Sequence, residues 1–321
     1  MTLLCAAVLA ALRVGIIGLD TSHSLAFTKA MNVEKLKCVE GLRVVAAHQW
    51  GSRDIVSATN RYPKYVAQMR EMGVEIVPTI DALLAKVDCV CLETNDGREH
   101  LWQAEKVFKA GKPVFIDKPL AHNLRDALKI VELGRKHNAK YFSSSALRYS
   151  SANAEVASGK YGRIRGLMYA APSPVEVQGT HGRYSWYGIH GFEPIVAIMG
   201  TGAETVRVVA VGKVDAIVIT WADGRVATLR ATQDDWDAYG GVAFPEKGRP
   251  VALSGYEGYE KLLEHIATFF RTGVPPVPPE QTLEIFSLMA AAEMSAKRDG
   301  ELVTLAEAVG ACSGSSWWKF W

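Results

Sequence analysis

Residues 14–23 read VGIIGLDTSH. An apolar run ending at Gly18 is the pattern of a buried parallel strand entering a glycine turn, the usual entrance to a dinucleotide site. Such a loop keeps bare backbone where a pyrophosphate approaches. Here Asp20 stands two places after Gly18, and His23 three places further on. Asp20, Thr21 and Ser22 are all residue types that cap helix N-termini. An aspartate there satisfies the same amides and the same helix dipole as a phosphate. The expectation is that Asp20 caps the first helix, accepting the amide of Ser22 or His23, in the space of a pyrophosphate oxygen. Two like charges about 4 Å apart repel by roughly 1 kcal/mol in water and roughly 4 kcal/mol at an effective dielectric of 20. That amounts to about one to three decades of dinucleotide affinity.

Outward from this stretch, the first half alternates short apolar runs with amphipathic segments. LRVGIIG, LRVVAA, VEIV, DCVCLE, PVFID and KYFSSS read as strands. SLAFTKAMNVEKL, RYPKYVAQMREMG, TIDALLAK, REHLWQAEKVFKAG and NLRDALKIVELGRKHN read as helices. Thr79 is placed as an N-cap and Gly111 as a helix stop. Strands alternating with helices give an α/β, doubly wound parallel sheet whose ligand site lies at the carboxyl ends of its strands. After about Ser145 the rhythm changes. IRGLMYAAP, TVRVVAVG, DAIVITWADGRVATLRAT and RPVALSG are strand-like without intervening helices, and Asp223-Gly224 marks a tight hairpin. Two helices close the chain, GYEKLLEHIATFFRTG and EQTLEIFSLMAAAEMSAKRDG. The reading is a dinucleotide-binding domain over 12–147 and an α+β domain with a mostly antiparallel open sheet over 148–321.

The 321 residues suffice for two cores, and 49% hydrophobic with 22% charged residues is an ordinary globular balance. A net charge of +2 with interleaved signs gives no footprint for nucleic acid or a membrane surface. Five cysteines are not a disulfide framework, and Cys89 and Cys91 fall on one face of a strand as core residues. No Cys/His spacing resembles a metal motif, so no metal is expected. No apolar run is long enough to span a bilayer. The opening MTLLCAAVLAAL reads either as a truncated export signal over 1–11, favouring an exported or periplasmic location over the cytoplasm, or as an extension of the first strand. At the other end, Trp317, Trp318, Phe320 and Trp321 exceed what a free tail needs; they suit a partner subunit's surface or are simply exposed.

Three stretches together resemble one family. HLWQAEKVFKAGKPVFIDKP is similar to a family stretch ending in Glu-Lys-Pro, here Asp117-Lys118-Pro119. YGIHGFEPIVAIMGTG resembles the helix that carries the family's catalytic histidine, here His190. FFRTGVPPVPPEQTLEIFSLMAAAEMSAKRDGELVTL is similar to its closing helix pair. The family is the Gfo/Idh/MocA oxidoreductases, and the resemblance covers nearly all of the chain after Leu12. It implies a Rossmann domain that binds NAD or NADP and a second domain whose open sheet forms a homo-oligomer interface. It also implies reversible hydride transfer between a sugar or polyol carbinol and the nicotinamide, or a lyase or epimerase reaction using transient oxidation. Lys118 would hydrogen-bond the reacting oxygen and His190 would move its proton. Gly18, Asp20, Thr21, Ser22, His23, Thr94, His100 and Lys118 fall at the family's cofactor positions. Asn95, Arg148 and Glu193 fall at its substrate positions. Asp96 and Arg98, in the same polar strand-end loop, are further candidates for sugar hydroxyls.

The chain also departs from the family. Asp20 and His23 replace the second and third loop residues. His48 or Gln49 stands where an acid normally holds the ribose, with Ser52 and Arg53 placed either for a 2′-phosphate or as a solvated turn. Trp186 replaces the aspartate four residues before the catalytic histidine, leaving Glu176 or Tyr184 as candidates to orient the imidazole. Two readings follow. One is an NAD(P)-dependent oxidoreductase acting on a carbohydrate or polyol. The other is a redox-inactive relative that binds a carbohydrate or partner without turnover. The paired lysine and imidazole favour the first, because a purely binding protein has no need of them.

Overall fold

The computed structural model describes residues 11–175, 181–236 and 238–312. The apolar stretch through Ala10, Glu176 and the aromatic residues of the C-terminus lie outside the described residues. The chain opens with β1 (Leu12–Ile17), α1 (Ser22–Thr28), β2 (Leu42–His48), α2 (Val56–Glu71), β3 (Glu75–Val77), α3 (Ile80–Leu84) and β4 (Cys89–Leu92). It continues with α4 (His100–Lys109), β5 (Val114–Ile116), α5 (Leu124–Lys136) and β6 (Tyr141–Ser143). The six strands form one parallel sheet in the order β3-β2-β1-β4-β5-β6. The order reverses beside β1, so β1 and β4 end at the topological switch point where α/β sheets bind ligands.

Local chemistry sets the element ends. Thr79 and Asn123 cap α3 and α5 by accepting the amides of Ala82 and Asp126. The segment read as one helix over SLAFTKAMNVEKL is α1 followed by a π-helical turn, Lys29–Glu34. The Asn32 amide explains the break, because it pairs with the N–H and C=O of Val44 at 2.9 and 2.8 Å, beside β2. Cys89 and Cys91 are buried in β4, and the four cysteines among the described residues are free.

Next come α6 (Ser151–Ala157), β7 (Ile164–Pro172), α7 (Ile189–Met199), β8 (Ala203–Val211), β9 (Val214–Trp221), β10 (Val226–Thr232), β11 (Gly240–Pro245) and β12 (Val251–Leu253). The chain ends with α8 (Glu260–Thr272), α9 (Pro279–Lys297), β13 (Val303–Thr304) and α10 (Leu305–Cys312). The second sheet runs β12-β11-β7-β10-β9-β8-β13 and is antiparallel except between β7 and β10. The hairpin at Asp223-Gly224 joins β9 to β10, with Gly224 at φ 84°. Ile195, Val196 and Phe192 of α7, with Phe286 and Leu288 of α9, bury one face of this sheet in a single core. The opposite face leaves Met168, Val209, Val226 and Phe244 exposed. Helix α8 turns back to the first sheet, where Leu262, Ile266 and Phe269 pack with Phe27, Phe115 and Phe142. No helix among the described residues is long and apolar enough to cross a membrane.

Candidate active site

A cavity of about 430 Å³ opens at the carboxyl ends of the parallel strands. Thr21 at the end of the loop after β1 and Ser22 and His23 in the first turn of α1 line it, with Asn95 from the loop after β4 and Asp117, Lys118 and Pro119 from the loop after β5. Ser145 follows β6, while Trp186, Tyr187 and His190 come from α7 and the turn before it. Trp236, Tyr239, Tyr256 and Tyr259 complete an aromatic wall, and Ser57 and Arg61 of α2 close the far end. Lys118 and His190 therefore share one cavity. The Lys118 ammonium lies 5.5 Å from the centre of the Tyr187 ring, whose edge also meets the His190 ring.

The imidazole of His190 is oriented by Ser145, whose Oγ lies 2.7 Å from its Nδ1. Tyr184, proposed for that task, does not take it. Tyr184 is buried and donates its hydroxyl to Asp215, and Glu176 lies outside the described residues. Burial first, then the positive charge of Lys118, pushes His190 well below the ordinary imidazole value, so the ring is neutral around pH 7. Neutral imidazole is the form that accepts a proton.

Asp20 is not the cap of α1. That role belongs to Thr21, which has the required extended backbone and whose Oγ1 accepts the amide of Ser24. Asp20 is fully buried, and its two carboxylate oxygens accept the amides of Ser52 and Asn95, each at 3.0 Å. One side chain thus ties together the loops that follow β1, β2 and β4. Burial raises its pKa to about 6, against the pull of those two amides. Gly18, at φ 92°, is required for the same closeness, since a Cβ there would lie 2.4 Å from the Thr94 nitrogen.

Other expected contacts are committed elsewhere. His100 is buried away from the cavity, with Nε2 2.7 Å from the Thr94 carbonyl and Nδ1 3.0 Å from that of Pro119. It fastens the loop after β4 to the loop carrying Lys118. The Thr94 hydroxyl donates to Gln103. Arg148 and Glu193 pair with one another at 2.5 Å in a buried setting, and Gln281 and Ser144 add further bonds. These two bind each other and do not line the cavity, because both are drawn into the seam between the loop after β6 and α7. Asp96 and Arg98 pair likewise, joined by Asp54, Ser52 and His181. His48 is buried against the Val77 carbonyl.

Sequence reasoning missed a cluster beside Lys118. Nδ1 of His23 lies 2.7 Å from Oδ2 of Asp117, and the ring stacks on Phe27 and meets the edge of Tyr259. Glu93, fully buried at the end of β4, brings Oε2 to 3.9 Å from the same nitrogen. Burial, then the neighbouring Asp117, pushes the Glu93 carboxyl well up. Burial works the same way on Asp117, but His23 and Lys118 outweigh it and hold that carboxyl down. His23 and Asp117 are 94 positions apart, so no spacing announced the pair.

Residues 12–145 match the family model described as an oxidoreductase family with an NAD-binding Rossmann fold, Gfo/Idh/MocA. Over those residues the chain is similar to the Gfo/Idh/MocA oxidoreductases. Beyond them, solved structures of related shape extend the likeness in fold over most of the chain. A probable dehydrogenase from Thermotoga maritima is 20% identical at a TM-score of 0.75, covering 92% of this chain and 100% of that one. Myo-inositol dehydrogenase from Lactobacillus casei, solved in complex with NAD(H) and myo-inositol, is 17% identical at 0.72, covering 92% and 96%. UDP-N-acetylglucosamine 3-dehydrogenase from Acidithiobacillus ferrooxidans is 16% identical at 0.73, covering 90% and 99%. At these identities the likeness establishes the fold. No curated protein matches the chain in sequence. Against the usual Gfo/Idh/MocA loop, the departures at Asp20 and His23 have separate outcomes: the first is drawn down beneath the loop, the second stands in the cavity wall.

Proposed function

We propose that this protein is an NAD(P)-dependent oxidoreductase acting on a carbinol of a sugar or polyol. The observation that carries the reading is the placement of Lys118 and His190 on one cavity at the carboxyl ends of the parallel strands, with His190 held by Ser145. The donor set suits a dinucleotide. Thr21 and Ser22 at the start of α1, with Arg61 opposite, offer hydroxyls and a guanidinium to phosphate oxygens, while Lys118 and His190 face the reacting end. The aromatic wall offers flat apolar faces with polar tips, suited to a ring that carries hydroxyl groups.

A bound nicotinamide supplies the two-electron acceptor for the reaction. The residues of the chain handle the proton and the oxygen. Lys118 donates a hydrogen bond to the carbinol oxygen and stabilises negative charge developing on it. Nδ1 of His190 is engaged by Ser145, which leaves Nε2 to take the hydroxyl proton. The reading without turnover rested partly on a carboxylate at the phosphate position, and Asp20 is turned to the amides of Ser52 and Asn95 instead. The exposed sheet face with Met168, Val226 and Phe244 is the surface through which we propose the chain forms a homo-oligomer.

The test is calorimetric titration with NAD and NADP, followed by turnover of a panel of sugars and polyols read by reduced-nicotinamide absorbance. Lys118→Met and His190→Ala should each lower kcat by about 100-fold or more while still binding nucleotide. Absence of binding to either nucleotide would overturn the assignment.

A further inference from the structure

We propose that His23, Glu93 and Asp117 form a binding site for one divalent transition-metal cation, set in the wall of the cavity beside Lys118. The ligand atoms of the three side chains all lie within 4.8 Å of one another. Bonds of about 2.0–2.2 Å allow two donors to stand up to about 4.4 Å apart, so small side-chain rotations bring the three onto a single ion. The positions are fixed by the fold: Glu93 and Asp117 follow adjacent parallel strands, and His23 lies in the first turn of α1.

Glu93 supplies the second, independent reason. It is wholly buried, and neither of its carboxylate oxygens has a hydrogen-bond partner among the described residues. Oδ1 of Asp117 is in the same condition. Buried carboxylates normally have hydrogen-bond donors or a coordinated cation. A divalent ion meets the three free oxygen positions and the imidazole together.

One imidazole with two carboxylates is a borderline donor set that suits Zn²⁺, Mn²⁺ or Fe²⁺ over the all-oxygen cages of Ca²⁺. Three protein ligands leave coordination positions open, as in catalytic metal sites. His23 and Asp117 line the cavity and Glu93 stands behind them, so the open side faces the space where a substrate oxygen would lie. A hydroxyl or carbonyl oxygen of a polyol is the ligand class that would complete the shell.

The test uses the untagged full chain, stripped with chelator, then loaded with Zn²⁺ or Mn²⁺, desalted and analysed for bound metal. The expected result is one equivalent per chain, with a metal-dependent rise in melting temperature. Glu93→Gln and Asp117→Asn should weaken uptake by at least about 100-fold. His23→Gln, at a part-exposed position, should do the same and guards against a buried variant that misfolds. Lys118→Met and His190→Ala should keep full uptake, so failure of the redox reading leaves this result unaffected. No stoichiometric uptake by the wild type, or uptake by His23→Gln and Glu93→Gln equal to the wild type's, would overturn the site.

Discussion

Oγ of Ser145, just past the end of β6, stands 2.7 Å from Nδ1 of His190 in the first turn of α7. The same hydroxyl accepts the amide of Leu147, which fixes its position from the other side. Ser145→Ala should therefore lower kcat by about 10-fold, the value of one lost hydrogen bond, with KM little changed. The acid limb of the wild-type profile should fall below 6.5, because burial, then Lys118, favours the neutral ring. Rate–pH profiles of both proteins check this. An unchanged kcat in the variant, or an acid limb above 6.5, would remove Ser145 or the desolvated ring from the account.

Much of this was legible in the sequence, and the reasons differ by element. The parallel sheet could be read because each strand is a short apolar run bounded by helices with clear caps, as at Thr79 and Asn123. Strand β11 was not read, since it opens on Gly240-Gly241 and is only partly buried, so it carries neither alternation nor strand propensity. That Lys118 and His190 face one cavity was legible from the family stretches around them. Ser145 was not, because its role appears only when the β6 loop meets α7. Asp20 was misplaced by one residue of reasoning: Thr21 is equally good as a cap, and burial of the aspartate depends on loops that follow β2 and β4.

The Arg148–Glu193 pair yields a stability prediction. Both side chains are almost fully buried, so removing one charge leaves the other without compensation. Glu193→Gln should destabilise the protein by about 3–5 kcal/mol in urea unfolding. The double variant Arg148→Met with Glu193→Leu should recover most of that loss, as apolar replacements of buried pairs often do. A loss below about 1 kcal/mol for the single variant would show that the pair is solvated in solution.

The exposed face of the second sheet predicts assembly. Met168, Val226 and Phe244 lie on neighbouring strands, with Met168 at 55% and Phe244 at 37% exposure. A contiguous apolar patch of this kind marks an association surface. Light scattering should find an oligomer for the wild type and a monomer for Met168→Glu combined with Phe244→Lys. Nucleotide binding should persist in that variant, since neither residue lines the cavity. A monomeric wild type would refute the surface's role.

The pH dependence of stability should carry the signature of Asp20. Its pKa rises from an ordinary 3.8 to about 6 on folding, chiefly through burial. The folded state therefore binds the proton more tightly, and this stabilisation is present in full below 3.8 and lost as pH rises to about 6. Relative to Asp20→Asn, the wild type should be more stable at pH 4 than at pH 7 by up to about 3 kcal/mol. Denaturant melts of both proteins at the two pH values check it. A difference independent of pH would mean that the carboxylate is solvated.

Asp20 also decides what happens at the loop glycines. If its carboxylate opposed a phosphate, Asp20→Gly would tighten dinucleotide binding by about one to three decades. The geometry argues the reverse. The oxygens of Asp20 hold the amides of Ser52 and Asn95, and Asn95 itself lines the cavity. Glycine abolishes both bonds and adds freedom to a loop next to Gly18, already at positive φ. Hydrogen bonds to a charged acceptor contribute about 1.5–3 kcal/mol each, so Asp20→Gly should lower stability by a few kcal/mol. Affinity for NAD and NADP should fall by about 10-fold, because ordering the loosened loop is then charged against binding. Calorimetric titration of wild type and variant measures the sign directly. Tightening by a decade or more would restore the electrostatic explanation and show that the aspartate excludes the cofactor's phosphates.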